Sequence, residues 1–238
     1  MPMSEERSVL RTALLPSLLE AAAYNQARKT NDVALFEIAN VFHSDETALT
    51  KLPTEKTRVA LLLTGNRVSS AWNRQSEKVD FYDAKGILDT VFERFGLADR
   101  IAYSAAQPEH FHPGRTAELK LERDGESVSI GYVGQLHPDL QREFDLGDAF
   151  VAEIELAALY DHVDAAIKYR TLPRYPSVER DLAVVVGREV EGGALVAAIE
   201  EAAGELLESA GVFDVYTGER LGAEKKSVAL STVYRHPE

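Results

Sequence analysis

Metal chemistry in this sequence would have to start at Glu109-His110-Phe111-His112, where two histidines two positions apart share one face of an extended chain. Pro113-Gly114 follows as a turn, and no third ligand stands at a suitable spacing. Two ligands do not close a zinc site, so the pair reads as structural or surface histidines and no metal ligand is assigned. Carboxylates are plentiful, but spacing alone pairs none of them across a site, which leaves glycoside hydrolysis without support. The phosphate loop GxxxxGK[ST], the dinucleotide loop GxGxxG and the nucleophile elbow GxSxG are all absent. Gly192-Gly193 precedes a helical pattern with no glycine-rich loop before it and no lysine after it. It reads as a flexible helix start rather than a phosphate cradle.

The elements that would position such groups belong to an ordinary globular chain of 238 residues, 45% hydrophobic and 27% charged, with room for one large or two modest domains. The absence of cysteine rules out disulfides and thiolate metal sites and fits a reducing compartment. No apolar run approaches the ~18 residues of a membrane span, and the acidic start with Glu5 and Glu6 has no signal-peptide pattern, so a cytoplasmic protein without a membrane partner is expected. The net charge of −13 would repel a phosphate backbone, and neither half of the chain is basic. Contact with RNA would therefore rest on a few placed side chains.

Leu15, Leu18, Leu19, Ala22 and Ala23 form one helical stripe, with Pro16 in the first turn. Leu35–Phe42 and Val59–Leu63 have the length and composition of buried strands, and Trp72 follows in a polar loop. A second helix is predicted from Tyr82 to Phe95, with Ala84, Ile87, Leu88, Val91, Phe92 and Phe95 on one wide apolar face and Gly96 as its stop. From Thr116 the period becomes two. Ala117, Leu119 and Leu121 run into an Asp124-Gly125 turn and return as Val128, Ile130 and Tyr132, a hairpin. His137-Pro138-Asp139 reads as a helix start and Phe150–Leu156 as a strand. Two prolines in Tyr169–Ser177 mark a boundary. Beyond it come a strand at Leu182–Val186, a helix at Ala194–Leu207 and strands at Val212–Tyr216 and Val228–Tyr234. This β-α-β-β order is the first two thirds of a ferredoxin-like βαββαβ unit.

Several segments resemble, in order and spacing, the beta subunits of bacterial phenylalanyl-tRNA synthetases. They are PMSEERSVLRTALLPSLLEAAAYN, DVALFEIANVF, DFYDAKG, HPGRTAELKL, IGYVGQLHPDL, LPRYPSVERDLAVVV and GVFDVYTGERL, and the match covers nearly the whole chain. The resemblance implies an α/β (α+β) protein: a class II synthetase-like antiparallel-sheet domain over residues 1–168, a linker at 169–177, and an incomplete ferredoxin-like anticodon-binding domain over 178–238. It also implies a C-terminal fragment, because the family usually has Asn-Pro-Met-Ser where this chain begins Met1-Pro2-Met3-Ser4 and continues past Arg235-His236-Pro237-Glu238.

Class II synthetases typically end one strand in Phe-Arg-x-Glu or Asp, whose arginine grips the ATP α-phosphate and the aminoacyl carboxylate in a bidentate fork. Here the corresponding residues are Phe42, His43, Ser44 and Asp45. A mostly neutral imidazole offers one donor per nitrogen and cannot replace that clamp. The Gly-x-Gly-x-x-x-Arg segment of the class is absent as well, so no catalytic residue is assigned. The family reading is a non-catalytic part of a heterotetrameric phenylalanine–tRNA ligase that packs on the catalytic alpha subunit and helps bind tRNA. The fragment would hold no cofactor, and ATP and Mg²⁺ would serve the holoenzyme. In the strand Val212–Tyr216, alternation puts Asp214 and Tyr216 on the open face and Phe213 and Val215 toward the helix. Tyr216 could stack on an anticodon base, Asp214 could accept from a guanine edge, and Arg174 in the linker could hold a phosphate. The alternatives are a stand-alone RNA-binding module, or an independent adenylate-forming or metal-dependent enzyme using His43 or His110 and His112.

Overall fold

The computed structural model describes residues 8–46, 50–123, 125–163, 169 and 172–236. The motif at Met1–Ser4, Asp124 of the turn, and Pro237 and Glu238 lie outside the described residues. The chain divides into two compact units, Met1–Ala166 and Ile167–Glu238.

The first unit is built on a six-stranded antiparallel sheet in the order β1-β2-β8-β7-β6-β5. Its strands are β1 (Val33–His43), β2 (Thr54–Thr64), β5 (Ile101–Ala105), β6 (Phe111–Arg123), β7 (Glu126–Leu136) and β8 (Ala149–Glu155), and a small separate hairpin pairs β3 (Asn66–Val68) with β4 (Glu77–Lys78). One face is covered by α1 (Leu15–Gln26), whose Leu15, Leu18, Leu19 and Ala22 are all buried. The other is covered by α2 (Phe81–Arg94) through Ala84, Leu88 and Phe92. Double coverage explains why Ala60–Leu63 in β2 and Ala149–Ala152 in β8 are buried without alternation: side chains on both faces of these central strands enter a core. Each fully buried leucine contributes about 2 kcal/mol by leaving water.

The helix ends follow local chemistry. Asp80 accepts hydrogen bonds from the N–H groups of Tyr82 (2.8 Å) and Asp83 (3.1 Å), while the Asp83 carboxylate accepts from the Asp80 N–H, a reciprocal cap on α2. Gly96, at φ +70°, stops the helix as expected. His137 caps α3 (Pro138–Glu143), its Nδ1 accepting from the Asp139 N–H at 3.2 Å. A short α4 (Leu156–Tyr160) follows β8 directly, so Leu156 opens a helix rather than closing a strand.

Two expectations for the hairpin are corrected. Pro113-Gly114 is no turn but an irregularity inside β6, where the register slips between Phe111 and Thr116. In β7 a bulge opposite Leu119 and Lys120 inserts Ile130, which breaks the expected alternation. Ile130 and Val133 therefore join the α2-side core, while Tyr132 packs against the α1-side core. Gly131 sits at the bulge with φ +146°, and a Cβ there would lie 2.1 Å from the Glu153 carbonyl oxygen of β8. Only glycine lets the two strands approach this closely.

The second unit is β9 (Val178–Gly187), α5 (Gly192–Ala203), β10 (Leu207–Tyr216) and β11 (Lys225–Tyr234), an antiparallel sheet in the order β10-β11-β9. Gly192-Gly193 forms the first turn of α5, and the helix stops at Gly204 (φ +65°) instead of reaching Leu207. The chain gained for β10 makes it twice the predicted length. Among the described residues of this unit only Val228, Leu230 and Thr232 are buried, all on β11, and α5 buries none of its side chains.

Candidate functional site

Residues 58–60 of β2 lie opposite Glu153–Glu155 of β8 and, with Lys56, place a charged network on the α1 face of the first sheet. Arg58 pairs with Glu155 and Ala60 with Glu153 in the register, so all four side chains share that face. Arg58 Nη1 donates to Glu153 Oε1 at 2.9 Å, and Lys56 Nζ to Glu155 Oε2 at 3.0 Å. The second Glu153 oxygen accepts from the backbone N–H groups of Leu14 (3.0 Å) and Leu15 (3.1 Å), at the start of α1. A carboxylate on a strand thus caps a helix more than a hundred residues earlier in the chain, which suits the positive end of the helix dipole. The Glu153 side chain is only 8% exposed.

This network floors a cleft of about 330 Å³, walled by Phe111 and Tyr132, whose rings lie 6.1 Å apart, and bordered by Gly131. The helix start and the arginine are the groups that would otherwise receive an anion. Both are taken by Glu153. Elsewhere on β1, Arg11 is held by Glu37 (2.6 Å). His43 ends β1 opposite Thr54, with its Nε2 buried and lacking a hydrogen-bond partner among the described residues. His110 borders the cleft, while His112 turns its Nδ1 to the Gly114 N–H at 3.1 Å. Among the described residues no three His, Cys, Asp or Glu side chains converge as a metal group.

In the second unit, register sets the faces of β10. A bulge at Phe213 separates the pairs Val212–Leu230 and Asp214–Ala229, after which Val215 opposes Val228 and Tyr216 opposes Ser227. Asp214 and Tyr216 therefore share a face, as alternation predicts. The other face carries Val212 and Val215 opposite the buried Leu230 and Val228, with the bulge making Val212 rather than Phe213 the partner of Val215. Gly192 of α5 lies close to Val212, whose Cγ2 would be 3.4 Å from an added Cβ. Phe213 is 60% exposed. Asp214 is exposed, and Tyr216 is half exposed with its hydroxyl folded against Gly218. Arg174 is exposed too, but belongs to the opposite end of the sheet: Arg235, following β11, donates to the carbonyl of neighbouring Tyr175 at 2.9 Å. That end of the ladder is Val178–Tyr234, whereas Tyr216 aligns with Ser227 and Val185, seven residues along β9 and roughly 23 Å away at ~3.3 Å per residue. Arg174 is not brought together with the other two.

A family model described as the phenylalanyl tRNA synthetase beta chain CLM domain matches residues 1–156, and one described as a ferredoxin-fold anticodon binding domain matches residues 173–238. The chain belongs to the phenylalanyl-tRNA synthetase beta chain family. Over its full length it is 47% identical to the phenylalanine–tRNA ligase beta subunit of Shouchella clausii, 50% to that of Geobacillus kaustophilus and 42% to that of Bacillus subtilis. It spans 29% of the length of each of these relatives.

For this beta-chain family member, sequence reading missed Glu153 and Arg58. A signal was present: Glu153 and Glu155 are acidic residues at period two inside the otherwise apolar AFVAEIEL, and Arg58 opens RVALLL. Charges on one face of a buried strand require partners, but which partners depends on strand order.

Proposed function

We propose that this chain is a non-catalytic part of a phenylalanine–tRNA ligase beta subunit, which packs on the catalytic alpha subunit and helps bind the tRNA anticodon. Its catalytic-like domain, residues 1–168, has a class II synthetase-like fold, and the linker 169–177 leads to the anticodon-binding domain from residue 178. The observation that supports the silence of the first domain is His43 at the end of β1, where the class II resemblance calls for an arginine; in the cleft, Glu153 already takes the helix-start donors and the Arg58 guanidinium. Losing such clamps removes several kcal/mol of transition-state stabilisation, enough to abolish useful rate. ATP and Mg²⁺ would act in the alpha subunit of a heterotetrameric holoenzyme in the cytoplasm, and this chain would hold neither.

The surface best suited to the alpha subunit is the α2-side face at the edge of the first sheet. Alternation along β1 turns Phe36 (73% exposed) and Ile38 (55%) outward beside Ile87 and Val91 of α2 and Phe95 just after it, around an open groove of about 480 Å³. The leucines of α1 are buried within the unit and leave no comparable face. For the anticodon, Asp214 and Tyr216 on the open face of β10 are the candidate contacts, the tyrosine by stacking and the carboxylate by accepting from a guanine Watson–Crick edge. Arg174 stands apart from them as a candidate phosphate contact.

The test has three arms. Pyrophosphate exchange by the chain alone should be absent, and capture of the alpha subunit should weaken with Phe36→Asp. Tyr216→Ala and Asp214→Ala, made in the complete subunit, should raise the Michaelis constant for tRNA; unchanged values in both would remove these residues from the site.

A further inference from the structure

Trp72 is the only tryptophan of the chain, and it is 97% exposed. It stands at the tip of the β3–β4 hairpin, between Ala71 and Arg74, which close the tip with reciprocal backbone hydrogen bonds of 3.1 and 3.3 Å. The hairpin is braced at its base. Arg67 bridges Glu77 on the facing strand and Asp83 on α2, while Asp32 accepts from the Asn66 N–H at 2.8 Å. An indole offers the largest apolar payload of any side chain, and here a braced hairpin holds it in water.

The surroundings indicate what would cover it. Ser69, Ser70, Asn73, Gln75 and Ser76 are all exposed and polar, so no apolar patch surrounds the ring. Arg74 and Lys78 are exposed, and among the described residues neither makes an ion pair. Cores of protein interfaces gather contiguous apolar side chains and are depleted in lysine. One exposed ring beside the uncommitted Arg74, with Lys78 farther down the hairpin opposite Asn66 and short hydrogen-bonding side chains between, instead matches the recipe for unpaired nucleic acid. Arg74 and Lys78 are also cations not consumed by the local carboxylates, which Arg67 engages, on a chain of net charge −13 whose general field repels phosphate.

We propose that the hairpin is a second RNA contact, remote in sequence from β10, in which Trp72 at the tip stacks on an unpaired base, Arg74 holds the adjacent phosphate and Lys78, nearer the base of the hairpin, holds a phosphate farther along the strand. This rests on the reading of the chain as part of a tRNA-binding subunit, and assigns that function a further site in the first unit.

Because Trp72 is the sole tryptophan, the emission of the whole chain reports this one side chain. The chain is titrated with a phenylalanine-accepting tRNA, an oligouridylate and a fully paired RNA duplex, following tryptophan emission and the anisotropy of labelled RNA together. Saturable quenching by tRNA and oligouridylate, with little by duplex, is expected. Trp72→Ala should weaken oligouridylate binding roughly 5- to 150-fold while Trp72→Phe restores most of it. The double variant Arg74→Ala, Lys78→Ala should flatten the log–log salt dependence by about 1.4 to 1.8. At 97% exposure, none of the Trp72 variants threatens the fold. RNA that binds by anisotropy but leaves the emission unchanged overturns this inference alone and leaves the β10 reading standing. No RNA binding at all overturns both. Quenching by the purified alpha subunit but not by RNA assigns the tip to a protein interface and also overturns the proposal.

Discussion

Replacing Glu153 with alanine is expected to cost the first unit about 3–5 kcal/mol, as three separate losses. The backbone N–H groups of Leu14 and Leu15 lose their acceptor, and Leu14 is fully buried, so at about 1 kcal/mol or more each they account for half of the effect. The remainder comes from Arg58, whose side chain is 27% exposed and whose Nε already lacks a partner; residual water tempers the penalty to about 1–2 kcal/mol. Glu153→Gln keeps one acceptor oxygen and the shape, so about 1–2 kcal/mol is expected. Lys56→Ala removes a pair that is 41% and 27% exposed and should cost less than about 1 kcal/mol. Urea and thermal unfolding of the three variants would rank them. With about 2–4 °C lost per kcal/mol in a unit of this size, Glu153→Ala should lower the midpoint by about 10 °C. A cost for Glu153→Ala no larger than that for Lys56→Ala would refute the idea that this carboxylate joins helix, arginine and strand into one network.

Gly131→Ala should destabilise by about 2–4 kcal/mol, since its Cβ would meet the Glu153 carbonyl at 2.1 Å in a positive-φ position; calorimetry showing a neutral effect would contradict the close strand approach. Amides of β9 and β10 should exchange hydrogen faster than those of Ala60–Leu63 in β2, because the second unit buries so few side chains; mass-spectrometric exchange with equal protection in both would contradict this. A hydrogen bond from Ser129, aided by Lys120, lowers the Glu118 pKa from its ordinary value of 4.5. Its stabilisation is therefore complete above about pH 4.5 and lost as pH falls through the lower folded value, and Ser129→Ala should reduce the acid sensitivity of unfolding.

Much of the architecture was legible in the chain because period and punctuation are local properties. The α1 stripe, the buried core of β2, the α2 face with its Gly96 stop, the His137 cap and the β-α-β-β order all depend on residues within one or two turns of one another. By contrast β1, expected as a buried strand, is an edge strand whose Phe36 and Ile38 are exposed, because strand order is not a local property. The family resemblance was legible for a different reason: several short segments stood in the right order over nearly the whole chain. What sequence alone misplaced were features where one strand slips against another. The bulge that inserts Ile130 and the one that inserts Phe213 shift which side chains share a face, and neither bulge is visible until the partner strand is known. Likewise Arg174 and Tyr216 are both exposed as single residues, but only the ladder shows that they stand at opposite ends of the sheet. The same holds for the cleft. No pattern along the chain marks what Glu153 holds, because the helix start it caps lies more than a hundred residues before β8. Whether a buried glutamate is a liability or a keystone depends on which donors tertiary structure brings within 3 Å, and that follows from strand order rather than from any pattern along the chain.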